Sequence, residues 1–159
     1  MKNVSNLSQI LSEYGYDTIA IHPELASNRN RKNVYSNFLF DRFVSIDDFI
    51  EPLRYRGHVS DRASYDKVIE EYESMNKPGF IFNVTMQNHS GYDINTLGDL
   101  TPIDVSQEVK QYPQLVTYMT LMNESVNAFM DLLDYFSKVE EPVIICLFGD
   151  HQPYFGGPA

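Results

Sequence analysis

Apolar residues fall along the chain in two patterns. Three short runs, Thr18–Ile21, Phe80–Met86 and Val143–Phe148, are nearly continuous. Pro23 stops the first, Pro78-Gly79 precedes the second and Pro142 opens the third. Unbroken apolar runs of this length read as strands covered on both faces. Between them the spacing is helical. Leu7, Ile10 and Leu11 follow a Ser5-Asn6 cap and end near Gly15. Val34, Tyr35 and Phe38 mark a second helix. Tyr65, Val68, Ile69 and Tyr72 mark a third behind Ser60. A long helix is predicted over 112–137, with Val116, Met119, Ser125, Val126, Phe129, Leu132, Leu133 and Phe136 along one side. Residues 40–60 have no clean period and read as loop, with a short strand at Arg42–Val44. Residues 87–111 read as a long polar loop, a length often tied to function.

Helices alternating with continuous apolar strands predict an α/β fold, a mostly parallel sheet flanked by helices. At 159 residues the chain is long enough for one domain. With 43% hydrophobic residues it has the material for a core. A formal charge of −10 argues against nucleic-acid binding and suits divalent cations or a basic partner. The single cysteine, Cys146, excludes an internal disulfide and reads as a small buried residue. The apolar runs are far shorter than the roughly 20 residues of a membrane helix. No signal segment opens the chain, so any membrane anchor is expected outside it.

In parallel sheets, ligands gather beyond the carboxyl ends of the strands. That rule sorts the four histidines. His22 ends the first predicted strand, His89 follows the second in "QNHSGY", and Asp150-His151 ends the third. His58, before a helix cap, has no such place. Asp150 and His151 offer one oxygen and one nitrogen ligand to a divalent metal. His89 and His22 suit contact with a phosphate or sulfate, or acid–base work. Arg31, near a predicted helix start, suits a bidentate grip on the same anion, while Arg29 and Lys32 read as ordinary surface charges. A hydroxyl nucleophile on a strand-to-helix turn is missing: Thr18 and Thr85 fall in predicted strands, Thr96 and Thr101 in the long loop.

The blocks "YDTIAIHP…NRNRKNVY", "TMQNHSGY" and "FGDHQP", in this order, resemble the lipoteichoic acid synthase family of phosphoglycerol transferases, within the alkaline phosphatase and sulfatase superfamily. The resemblance covers essentially all of residues 1–159 and implies one partial catalytic domain, with its threonine nucleophile upstream and further strands and helices downstream. It implies that Asp150 and His151 match two metal ligands. It also implies that His22, Arg31 and His89 match residues lining the phosphoglycerol pocket. Where members of that family often carry an aromatic residue shortly before the arginine, this chain has Asn28-Arg29-Asn30. The implied parent is anchored in the membrane with its catalytic domain on the extracellular face. It uses a divalent metal, manganese first and magnesium or zinc as alternatives. It takes phosphoglycerol from a phosphatidylglycerol-type lipid to a glycan or polymer acceptor. The fragment alone is expected to be inactive. Two other readings stand beside this one: a sulfatase or phosphodiesterase of the same superfamily, and a non-catalytic module that binds phosphorylated glycans or lipid headgroups.

Overall fold

The computed structural model describes residues 5–155. The chain divides into two compact units, Met1–Pro52 with Ala63–Met86, and Leu53–Arg62 with Gln87–Ala159.

The first unit is built on a parallel sheet in the order β2-β1-β5, with β1 Asp17–Ile21, β2 Arg42–Val44 and β5 Gly79–Asn83. The alternation of strands and helices thus gives the expected parallel arrangement. Central β1 is its most enclosed strand: Thr18, Ala20 and Ile21 are fully buried, as is Val44 on β2. Burying each large aliphatic side chain contributes about 1.5–3 kcal/mol. Helix α1 (Leu7–Glu13) starts where Asn6 accepts the Gln9 amide at 3.0 Å, the cap expected from the sequence. Helix α2 (Arg31–Asn37) supplies Tyr35, whose ring meets Phe43 at 4.7 Å and Phe40 at 5.7 Å.

Helix α3 (Asp61–Ser74) forms where Ser60 predicted it, but its buried face is more polar than the apolar spacing suggests. From Ala63 onward, Ser64, Lys67 and Glu71 are buried with Val68. Each polar group has a partner. Ser64 donates to Asn83 at 2.9 Å, Lys67 pairs with Glu70 at 2.6 Å, and Arg42 pairs with Glu71 at 2.6 Å. Burial still pushes the Glu71 carboxyl upward, with Arg42 opposing.

In the second unit, β3 (Arg54–Tyr55) and β4 (His58–Val59) pair antiparallel in a hairpin where the sequence suggested only loop. Helix α4 (Gln107–Lys110) precedes α5 (Pro113–Phe136). The buried side of α5 carries Val116, Thr117, Thr120, Leu121, Ala128 and Leu132, whereas Val126, expected inside, is 53% exposed. The two threonines are tolerated because their hydroxyls donate to the carbonyls of Pro113 and Val116, one turn back. Tyr92, Leu97 and Leu121 form the core here, with Tyr118 and Phe155 against it.

Two expectations on the chemistry-bearing strands are corrected. The strand after Pro78 stops at Asn83, so Thr85 lies beyond it. The run Val143–Phe148 forms no strand. Ile144 is 91% exposed and Phe148 72%, and Cys146 is exposed rather than buried. An apolar run becomes a strand only when a neighbour satisfies its amides and carbonyls. No ladder with this run exists among the described residues.

Candidate functional site

His22 follows β1 directly and is fully buried. Its amide donates to Val44 O at 2.9 Å, and the Val84 amide donates to Ile21 O at 2.9 Å, so both flanking strands hold it. Nδ1 lies 2.9 Å from Val84 O, a carbonyl that can only accept. Nδ1 therefore carries the proton, and Nε2 presents a lone pair. Nε2 is buried without a hydrogen-bond partner among the described residues. A histidine so placed can accept a hydroxyl proton or bind a cation through Nε2.

Burial first, and then the positive charge of Arg31, hold the His22 pKa below its ordinary 6.5, while the Val84 carbonyl opposes them. The neutral ring's contribution to stability is therefore full above about 6.5 and is lost as pH falls through the folded value. In the full-length protein, protection of the Val84 amide from hydrogen exchange is expected to fall between pH 7 and pH 5. In His22→Gln that acid dependence should flatten. An unchanged dependence in the variant would place the sensitive group elsewhere.

Arg31 is the first residue of α2, half-buried, at the helix start the sequence predicted. Its positive charge acts on His22, which lies in the same unit. The two residues before it, Arg29 and Asn30, have φ of 51° and 57°, left-handed values uncommon for residues other than glycine. The chain enters α2 through this tight left-handed corner. Thr18 is fully buried and donates through its amide and hydroxyl to Asp41 Oδ2, both at 2.9 Å. That hydroxyl is structural, as its strand position suggested.

The other three expected residues belong to the second unit. His89 is exposed on the loop after β5, and its ring lies 5.7 Å from that of His58 on β4. Asp150 and His151 do not end a strand. They follow the exposed extended run and are themselves exposed. They do face each other, with Asp150 Oδ1 and His151 Nε2 3.5 Å apart. His151 Nδ1 lies 2.9 Å from Gln152 O and so bears the proton of the neutral ring. At their 3.5 Å separation the Asp150 and His151 side chains form an ion pair whenever the ring is protonated. One oxygen and one nitrogen suit zinc or manganese. Among the described residues, no group of three or more histidines, cysteines or acids gathers as a metal cluster. The expected metal role of this pair is thus not supported by further ligands among the described residues. Its segment is tied down at Phe155, whose ring meets Tyr92 at 5.3 Å and Tyr118 at 5.6 Å.

The chain has counterparts among known proteins. The family model described as Sulfatase matches residues 1–158. The chain belongs to the sulfatase family. It is 31% identical over 153 residues to a Rhizobium meliloti (strain 1021) protein named for cyclic beta-1,2-glucan modification, covering 94% of this chain and 24% of that protein. Its fold matches the lipoteichoic acid synthase LtaP of Listeria monocytogenes with a TM-score of 0.72 at 21% identity, over 84% of this chain and 33% of that one. It also matches the Streptococcus pyogenes phosphoglycerol transferase GacH, solved with sn-glycerol-1-phosphate, with a TM-score of 0.62 at 24% identity. That match covers 89% of this chain and 41% of GacH. The fold expected from the three blocks is therefore the observed one. The sulfatase-family chain spans about a quarter of the length of the curated relatives it matches. Among its described residues no helix is long and apolar enough to cross a membrane.

Several residues that hold the backbone around His89 in this sulfatase-family chain were not singled out from sequence. Gln87 is buried, accepts the Asp61 amide at 2.9 Å, and donates to Leu121 O and Ser125 Oγ, both at 2.9 Å. Asn88 donates to the same Ser125 oxygen at 2.7 Å. These bonds fix the backbone just before His89. Arg56 and Tyr92 hold the residues just after it. Gly57 between Tyr55 and His58 was the one turn residue that could have hinted at the hairpin.

Proposed function

We propose that the parent protein is an extracellular, divalent-metal-dependent phosphoglycerol transferase of the cell envelope. In this reading it takes phosphoglycerol from a phosphatidylglycerol-type lipid to a glycan or polymer. The observation that carries the reading is His22: a buried neutral imidazole at the carboxyl end of β1, its Nε2 lone pair unused, with the Arg31 charge beside it. A basic acceptor and a guanidinium together suit an alcohol-bearing phosphate better than a simple inorganic anion. The phosphoglycerol transferase fold match and the relative named for glucan modification support the same direction.

In this mechanism residues 1–159 form part of a catalytic domain, and a threonine from an upstream segment is the nucleophile. Asp150 and His151 hold the metal together with donors from that segment. A divalent ion held there would supply polarisation of the phosphate and a lower pKa for the attacking hydroxyl. The threonine oxygen bonds to phosphorus as the bond to diacylglycerol breaks, and the diacylglycerol oxygen takes up a proton. An acceptor hydroxyl then displaces threonine. The reading assigns Arg31 and His89 to the phosphoryl oxygens and His22 to the glycerol hydroxyl, with the Arg31 guanidinium offsetting the charge that develops.

The family's description favours a second reading, sulfate-ester hydrolysis. The two separate in one assay of the full-length protein with manganese. Fluorescent phosphatidylglycerol should be cleaved to diacylglycerol, while p-nitrophenyl sulfate stays intact. Cleavage of the sulfate ester with the lipid untouched would reverse the assignment.

A further inference from the structure

We propose that the β3–β4 hairpin is a clamp for His89, with Arg56 as its positioning residue. The inference rests on the assignment of His89 to the phosphate pocket. The hairpin register, Arg54 opposite Val59 and Tyr55 opposite His58, leaves a two-residue turn of Arg56 and Gly57. Both have positive φ, 55° and 83°, which is the type I′ turn whose twist matches paired strands. Asparagine or glycine is the usual first residue of such a turn. An arginine there adopts a backbone it disfavours, at a cost that interactions elsewhere must offset.

The Arg56 side chain is held by the His89 loop. Nη1 donates to His89 O at 3.2 Å, and Nη2 lies 3.2 Å from His89 O, 3.2 Å from Ser90 O and 2.8 Å from Gly91 O. Three successive carbonyls converge on one cation, which requires the loop to curl around it. Gly91 permits this with φ of 102°, and a Cβ there would come within 3.4 Å of Nη2. The guanidinium also sits 5.2 Å over the Tyr92 ring, whose hydroxyl donates to Asn88 O at 2.8 Å. The loop is thus closed on itself from Asn88 to Tyr92, with Arg56 at its centre. From the other strand of the hairpin, His58 meets the His89 ring, at 5.7 Å between centroids. One hairpin therefore holds both the backbone and the ring of His89.

A planar fork with five donors can serve three carbonyls at once, whereas a lysine offers a single point of donation. The test uses the full-length protein with fluorescent phosphatidylglycerol, comparing Arg56→Ala, Arg56→Lys, His89→Ala and the Arg56→Ala/His89→Ala double variant. Groups that orient a functional residue cost about 10–100-fold when removed. Arg56→Ala should lower kcat/KM by about that factor, with Arg56→Lys between it and wild type. The double variant should be no slower than His89→Ala, because Arg56 acts through His89. Hydrogen exchange over residues 88–92 should rise in Arg56→Ala and stay low in His89→Ala.

If the double variant loses the full Arg56 factor on top of an impaired His89→Ala, the clamp is wrong and the pocket assignment stands. If His89→Ala turns over like wild type, the pocket assignment fails and the clamp falls with it. Should Arg56→Ala not fold, Arg56→Lys with and without His89→Ala gives the same comparison, and its outcomes carry the same meaning.

Discussion

Replacing His151 with alanine in the full-length protein is expected to abolish metal-dependent turnover, by more than about a thousandfold. That exceeds the 10²–10³ typical of losing one transition-state donor. The reason is the pairing with Asp150. With the His151 Nε2 gone, Asp150 Oδ1 3.5 Å away is left as the one remaining ligand of the pair. The cation would then lose the nitrogen donor that distinguishes a zinc or manganese site from a surface carboxylate. Both residues are exposed and tethered through Phe155, so the substitution should leave stability within about 0.5 kcal/mol of wild type. Two readings are needed: bound metal per protein, and diacylglycerol released from phosphatidylglycerol. Loss of both with an unchanged melting temperature supports the metal role. Turnover close to wild type would remove Asp150 and His151 from the site.

The largest effect on stability is expected at Ser125. Its hydroxyl donates to the buried Asp61 carboxylate at 2.6 Å and accepts from both Gln87 and Asn88. One oxygen thus joins α5, the start of α3 and the loop before His89, and its single proton and its lone pairs are all used. Ser125→Ala strips three polar groups of a partner at once, one of them a buried carboxylate. Leaving buried groups unsatisfied costs about 1–3 kcal/mol each, and Gln87 keeps its bond to Leu121, so the net loss should be about 2–4 kcal/mol. Urea unfolding of the full-length protein measures it. Turnover should also drop, since Gln87 and Asn88 lead directly into His89. Ser125→Thr keeps the hydroxyl and should retain most of the stability.

The parts of this molecule that were legible in sequence share a physical basis. β1, α1, α3 and α5 announce themselves through apolar runs, period and caps, and they form within a few residues of expectation. His22 was placed by the same logic, because the end of a buried parallel strand is where a ligand-facing residue falls. What could not be read depends on partners distant in the chain. Strands of two residues, such as Arg54–Tyr55, carry no period, so the hairpin that touches His89 was invisible except for one turn glycine. The run Val143–Phe148 reads as a strand from its apolarity, yet apolarity does not supply a neighbour. Buried polar residues inside α3 and α5 were not singled out, for the converse reason. Ser64, Glu71, Thr117 and Thr120 become buried once a specific acceptor or donor meets them. Arg56 is the sharpest case, an arginine in an aperiodic stretch whose role exists only through three carbonyls more than thirty residues away.

Phosphoglycerol transfer is decided by the fate of the lipid headgroup. The full-length protein would be incubated with manganese, a glucan acceptor, and phosphatidylglycerol radiolabelled in its headgroup glycerol. The label on the glucan is then counted. Label should reach the glucan, and should be lost on chelation and in His22→Ala. Label that stays in the lipid, or glucan labelling that survives chelation, would contradict a metal-dependent phosphoglycerol transferase.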